Sequence, residues 1–134
     1  MTMAIVVGYV PRPEGQAALD RAIEEATLRG TRLVVLNVSR GDALVDPRYA
    51  SAADWDAVKA KLDASGVEHE VAQAIEARDP ADQLLRVAEE TNAELIVIGL
   101  RRRTPVGKLI MGSAAQTVLL EADAPVLAVK APKS

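Results

Sequence analysis

Five short strand-like runs alternate with helical segments along the chain, and this alternation restricts the fold more than any other feature. Two of the runs, RLVVLNV at residues 32–38 and ELIVIG at residues 94–99, are apolar at successive positions rather than at every second one. A strand of that composition is covered on both faces, which is typical of a parallel sheet. The element order β-α-β-α-β-α-β-α-β therefore predicts a doubly wound α/β fold with right-handed crossovers and helices on both faces.

The bulk composition limits the class of function. A length of 134 residues fits one domain, so we expect residues 1–134 to form a single unit. A net charge of −3 gives no general attraction to nucleic acid or to an anionic membrane. Cysteine is absent, which excludes disulfides and thiolate chemistry. Without a signal peptide or a long apolar span, the chain is expected to be soluble and cytoplasmic.

Two single side chains, His69 and Trp55, have no predicted role in binding or catalysis. His69 is the only histidine, and without a second histidine or a cysteine it predicts no metal site. Trp55 lies near the start of the second predicted helix, where we expect it to pack against the protein rather than to stack on a base. Neither residue points to catalysis.

A basic segment leads into the last predicted helix. Residues 100–111, which we expect to form a loop, contain four cations: Arg101, Arg102, Arg103 and Lys108. Gly112 and Ser113 then open the helix, and free amides at a helix start attract anions. Ligands of open parallel sheets bind beyond the carboxyl ends of strands, and the fourth strand ends at Gly99. The segment therefore predicts a phosphate or nucleotide site, the alternative being a solvated basic loop.

Ser113 has two possible roles at this helix start. Its hydroxyl can bind a phosphate or cap the last helix, and we expect capping in the free protein. Gly112 is expected to be required in either case.

The stretch VIGLRRRTPVGKLIMGSAAQTVLLEADAPVLAVK, residues 97–130, resembles the C-terminal third of universal stress proteins. ATP-binding members of that family carry glycine, two residues, glycine, nine residues, and then glycine with serine or threonine. Gly99, Gly112 and Ser113 match this pattern at the right spacing. The resemblance implies an adenine nucleotide alpha hydrolase-like fold with a five-stranded sheet in the order 3-2-1-4-5.

The resemblance also implies a ligand, its site and a partner. The ligand is ATP or another adenine nucleotide, with Mg²⁺ as a possible companion, bound at the carboxyl ends of strands 1 and 4. The site residues implied are Val38, Gly99, Arg101, Arg102, Gly112 and Ser113. The last strand, residues 125–129 from Pro125 to Val129, pairs across a homodimer in many members, and an apolar edge strand invites such pairing.

Two departures from the family pattern leave two hypotheses open. Arg102 stands where the pattern has its second glycine, and Val10 stands where ATP-binding members carry an aspartate. The chain is either a nucleotide-responsive stress regulator in which Arg102 faces the phosphates, or a protein-interaction module in which Arg102 fills the phosphate site. Neither is an enzyme, because no P-loop lysine pattern and no nucleophile with its base is present. Slow hydrolysis of a bound nucleotide stays open, and the protein partner is not predicted.

Overall fold

The computed structural model describes residues 3–37, 51–73, 79–103, 108–110 and 112–132, with the backbone alone at residues 102, 103 and 108–110. The elements are β1 (Ala4–Tyr9), α1 (Pro13–Arg29), β2 (Arg32–Asn37), α2 (Ala52–Ser65), β3 (His69–Gln73), α3 (Pro80–Glu90), β4 (Ala93–Arg103), β5 (Lys108–Ile110), α4 (Ser113–Glu121) and β6 (Val126–Lys130).

Five parallel strands of the described chain form one sheet in the order β3-β2-β1-β4-β6. With β6 as the fifth parallel strand, the predicted order 3-2-1-4-5 is confirmed. The two outer strands of this parallel sheet are β3 and β6, and β3 alternates between half-buried and exposed residues, which is typical of an edge strand.

Helices cover the sheet on both sides, because successive strand residues face opposite directions. On one side Ile5 and Val7 of β1 pack with residues of α1 and α2. On the other side Ala4 and Val6 pack with residues of α3 and α4. β2 is buried at all but its first position, which is the double coverage predicted from its uninterrupted apolar run, and every residue of β1 is buried as well.

The helix ends follow local sequence signals. Asp79 caps α3 by accepting a hydrogen bond from the Ala81 amide at 2.9 Å, with proline at the first helical position. Gly30 and Gly66 end α1 and α2 with left-handed backbone, at φ 62° and 74°. Within the part of the chain that the structure describes, no helix is both long and apolar enough to cross a membrane.

The expectation of a loop over residues 100–111 is wrong for most of that segment. β4 continues through Arg103, and β5 returns beside it as an antiparallel strand, with Arg101 paired to Ile110. Arg102 is an extended strand residue here, and Asn92 is the only described non-glycine residue with positive φ. The arginine therefore carries no left-handed backbone strain.

Candidate functional site

The candidate site begins where β1 and β4 end side by side. Val7 pairs with Val97, so Tyr9 and Gly99 follow two residues later at the same edge of the sheet. The amino end of α1 lies directly against this edge. Two glycines make that approach possible, one in the helix and one in the strand.

The contacts at these glycines leave no room for a side chain. A Cβ atom at Gly99 would lie 2.2 Å from the carbonyl oxygen of Glu14, and one at Gly15 would lie 1.7 Å from that of Val10. Both distances are far inside van der Waals contact, and both partners are backbone atoms. Gly99, which the family pattern assigns to nucleotide binding, is thus required by the packing of α1 against β4.

The amino ends of α1 and α4 differ in charge. Glu14 lies in the first turn of α1, is 8% exposed, and its Oε2 forms an ion pair with Nε of Arg12 at 3.3 Å. A carboxylate at that position neutralises the positive end of the helix dipole. α4 has no acidic residue in its first turn and no side-chain capping bond. Of the two, only the α4 amino end lacks an acidic residue in its first turn that would neutralise the helix dipole.

Ser113 does not cap α4, so the capping expectation is wrong. Gly112 occupies the N-cap position with φ −72° and ψ 166°, and Ser113 is the first helical residue, with its side chain exposed. A Cβ atom at Gly112 would meet no described atom within 4 Å. Among the described residues, the expectation that glycine is required at position 112 therefore has no steric basis.

A series of side-chain hydrogen bonds, which the sequence does not reveal, joins the carboxyl ends of the first three strands. The Trp55 indole Nε1–H donates to Oε1 of Gln73 at 3.0 Å, and Nε2 of Gln73 donates to Oδ1 of Asn37 at 3.1 Å. Nδ2 of Asn37 in turn donates to the carbonyl oxygen of Tyr9 at 3.0 Å. Asn37 is fully buried, which makes the loss of either of the bonds that it forms in this series costly.

Tyr9 lies at the centre of this region. Its ring is 1% exposed and packs against the Trp55 ring, with centroids 6.1 Å apart, so the packing expected of Trp55 is confirmed. Its hydroxyl accepts a hydrogen bond from Nε2 of Gln16 at 2.9 Å. Burial, followed by the nearby carboxylate of Asp54, raises the pKa of the Tyr9 phenol above its ordinary value. Tyr9 is therefore neutral throughout the physiological range.

The structure brings several of the predicted site residues to one region. Arg101 is exposed, and its strand partner Ile110 comes two residues before Gly112, so the basic end of β4 lies close to the start of α4. For Arg102 only the backbone is described, and Val38 lies outside the described residues. Their roles at the site stay predictions.

His69 lies at the other end of the sheet. It is the first residue of β3, and its Nε2 is 3.4 Å from Oδ1 of Asp63. Among the described residues, no group of three or more histidine, aspartate and glutamate side chains is arranged to hold a metal ion.

Comparison with known proteins extends over nearly the whole chain. The model of the universal stress protein family matches residues 1–130. A universal stress protein of Mycolicibacterium smegmatis is 49% identical over 126 residues, which cover 94% of this chain and 96% of that relative.

Solved structures give the same result at the level of the fold. A universal stress protein from Archaeoglobus fulgidus superposes with a TM-score of 0.70 at 31% identity, covering 97% of this chain and 99% of the other. The structure of the universal stress protein from Archaeoglobus fulgidus in complex with dAMP has a TM-score of 0.68 at 25% identity, covering 97% and 98%. The similarity therefore includes both strand ends of the candidate site.

Proposed function

This chain belongs to the universal stress protein family, and from that membership we propose that it binds an adenine nucleotide at the carboxyl ends of β1 and β4 and acts as a regulatory stress protein. The observation that carries the proposal is the dAMP complex of an archaeal relative, whose fold matches nearly all of this chain. Binding beyond the carboxyl ends of parallel strands is also where this class of sheet places its ligands.

The phosphate end of the ligand is assigned to the start of α4. The open space beside Gly112 and the absence of an acid in the first turn of α4 support this assignment. Ser113 offers an exposed hydroxyl there, and Arg101 offers an exposed cation on the adjoining strand. Arg102 is proposed as a further phosphate contact, since guanidinium groups bind phosphate oxygens through paired hydrogen bonds.

The nucleoside end is assigned to the ends of β1 and β2. Val38 follows Asn37 directly in sequence, and we propose that it contacts the adenine. Binding rather than turnover is the proposed activity, with regulation through a partner surface. A ligand can change the conformation of the partner surface only if it binds two conformations of the protein with different affinity.

Calorimetric titration of the full chain with dAMP, AMP and ATP, with and without Mg²⁺, tests the site. The parent protein is expected to bind, and Arg102→Ala to weaken binding about tenfold or more, because a charged hydrogen bond to phosphate contributes about 1.5–3 kcal/mol. Arg86→Ala is the matched control: it also removes one cation, from an ion pair with Glu90 on α3. Its affinity should stay within twofold of the parent.

The other outcomes are equally informative. No heat from the parent, with binding gained in Arg102→Gly, would mean that the arginine fills the phosphate site and that the chain is an interaction module. No heat from any variant would contradict nucleotide binding. Rapid multiple turnover of ATP, well beyond a slow hydrolysis of the bound nucleotide, would contradict the assignment as a binding protein.

A homodimer through β6 is the second part of the proposal. β6 is an outer strand of the parallel sheet, and its residues from Val126 to Val129 are apolar and only half-buried. An uncovered apolar edge favours pairing with another strand. Leu120, on α4, is a further exposed apolar side chain, at 84%. Sedimentation equilibrium at micromolar concentration should give twice the monomer mass of 14.2 kDa; the monomer mass alone would contradict the proposal.

A further inference from the structure

A surface pocket lies at the amino end of the sheet, at the opposite edge from the proposed nucleotide site. It is lined by residues of α3, the start of β4, the end of α4 and the segment that leads into β6, and its volume is about 250 Å³. Leu85 and Ile96 belong to its apolar lining, which is part of the cluster between the sheet and the α3–α4 layer. Three acidic residues, Glu89, Glu121 and Asp123, complete the lining of what we call the acidic pocket.

The acidic pocket has the charge and the lining for a cation with an aliphatic stem. Glu89, Glu121 and Asp123 are exposed, and across the described ranges none of them forms an ion pair or a side-chain hydrogen bond. Like charges around one pocket repel each other, so a cation that enters it is stabilised. Lysine and arginine side chains carry an aliphatic stem behind their charged group, and such a stem packs on apolar surface. The pocket therefore fits the side chain of a lysine or an arginine.

Lys130 is a cation without an acidic partner on the same face of the sheet. It is the last residue of β6, it is exposed, and in the part of the chain that the structure describes it forms no ion pair. Val126 and Ala128 of β6 pack with the cluster below α3 and α4, and the residues between and after them pack on the other side. Because side chains alternate across a strand, Lys130 lies on the face that carries the acidic pocket.

Lys130 is nevertheless far from the acidic pocket of its own chain. It pairs with Leu100 towards the carboxyl end of β4, whereas Val126 pairs with Ile96 in the lining of the pocket. The rise along β6 between these two positions is about 13 Å, at the usual spacing of strand residues. Asp123 lies still further back along the chain. The contact therefore requires Lys130 from a second copy.

A closed dimer through β6 supplies that second copy in the correct orientation. When two identical strand edges meet about a two-fold axis perpendicular to the sheet, the two strands run antiparallel. The carboxyl end of each β6 then lies beside the amino end of the other. The axis also keeps α3 and α4 of both copies on the same side of the joined sheet. Lys130 of the partner subunit thus arrives at the acidic pocket on the correct face, and the contact occurs twice.

We propose that the acidic pocket binds Lys130 of the partner subunit, so that two such contacts orient the paired β6 edges. The inference rests on the proposed homodimer through β6 and adds the charged contact that determines its direction. An apolar edge attracts another strand in either direction. A parallel arrangement would place the two lysines side by side and leave the carboxylates without a cation, and such like-charge contacts are unfavourable.

Two charge-reversed variants of the full chain test the contact. The first is Lys130→Glu, and the second combines Glu121→Lys with Asp123→Lys. All three positions are exposed, so both variants are expected to fold. Each variant alone has like charges at both contacts of the dimer. We expect each to raise the dimer dissociation constant, measured by sedimentation equilibrium, about tenfold or more.

An equimolar mixture of the two variants provides the decisive measurement. In a heterodimer of the two, glutamate 130 meets lysines at one contact and lysine 130 meets carboxylates at the other, so both contacts again join opposite charges. The dissociation constant of the mixture is expected to return to within about threefold of the parent, because coupled charges compensate when both are reversed. A variant weakened by misfolding would not be rescued by mixing.

Lys59→Glu is the matched control, since it makes the same charge change at an exposed position of α2, which packs on the other face of the sheet. Its dissociation constant should stay within about twofold of the parent. A dimeric parent with unchanged dissociation constants in both variants, or with no rescue in the mixture, would overturn the Lys130 contact alone and leave the pocket to another cationic partner. A parent that stays monomeric would overturn the homodimer and this inference with it.

Discussion

Gly15→Ala is expected to destabilise the protein by about 3 kcal/mol or more, although alanine is the better helix former. Glycine to alanine within an exposed helix stabilises by up to about 1 kcal/mol. Here the added Cβ atom would lie 1.7 Å from the carbonyl oxygen of Val10, so the start of α1 must move away from the end of β1. Overpacking of this kind costs about 1–3 kcal/mol where flexible side chains can adjust, and a backbone partner adjusts less.

Thermal and urea unfolding of ligand-free protein measure this effect. A loss of 3 kcal/mol corresponds to a fall in Tm of about 10 °C for a chain of this size. Gly112→Ala is the matched control, since its Cβ atom would enter open space at an ordinary φ of −72°. It removes only the modest N-cap advantage of glycine, about 0.5–1 kcal/mol. Equal losses in the two variants would show that the close contact at Gly15 is not what decides stability.

Gly99→Ala is the variant with the second large expected effect. We expect its free energy of unfolding to fall by about 2–3 kcal/mol in the absence of any nucleotide. Its Cβ atom would lie 2.2 Å from the carbonyl oxygen of Glu14 and 2.7 Å from the carbonyl carbon. The start of α1 and the end of β4 would have to separate. The glycine pattern alone predicts a different result, namely loss of ligand binding with stability unchanged.

Chemical unfolding and calorimetry on the same preparation separate these two explanations. A stable Gly99→Ala variant that fails to bind would contradict the packing explanation and assign the glycine to the ligand. An unstable variant supports packing. Gly112→Ala again serves as control, because it alters the same pattern at a position without steric conflict.

The sheet was predictable because its strands carry an uninterrupted aliphatic composition, and that composition has few other stable arrangements. RLVVLN is buried at all but its first position, and the alternating segment that includes His69 and Val71 became the edge strand. Helix starts were predictable where one side chain determines the cap, as at Asp79. They were not predictable where two neighbours compete: Gly112 took the cap position that was expected of Ser113.

The features that could not be predicted from the sequence depend on contacts between distant parts of the chain. β5 has only three residues, and its pairing with the end of β4 leaves no periodic signal in so short a segment. Trp55 and Gln73 are 18 positions apart, and Gln73 and Asn37 are 36 apart, so their hydrogen bonds depend on strand order and register. The close contact at Gly99 is of the same kind, because the glycine is visible in the sequence and Glu14 as its partner is not.

The close fit of α1 against the sheet affects how family members can be sorted by sequence. The first glycine of the nucleotide pattern, Gly99 in this chain, would be retained by any protein that keeps this helix–strand contact, whether or not it has a ligand. Retention of that glycine therefore says little about binding. Gly112 is the more diagnostic position, since a Cβ atom there would meet no described atom within 4 Å. Conservation of Gly112 at the start of α4 would therefore indicate selection for a ligand. Conservation of Gly15 and Gly99, where α1 contacts the sheet, is expected from selection for folding alone.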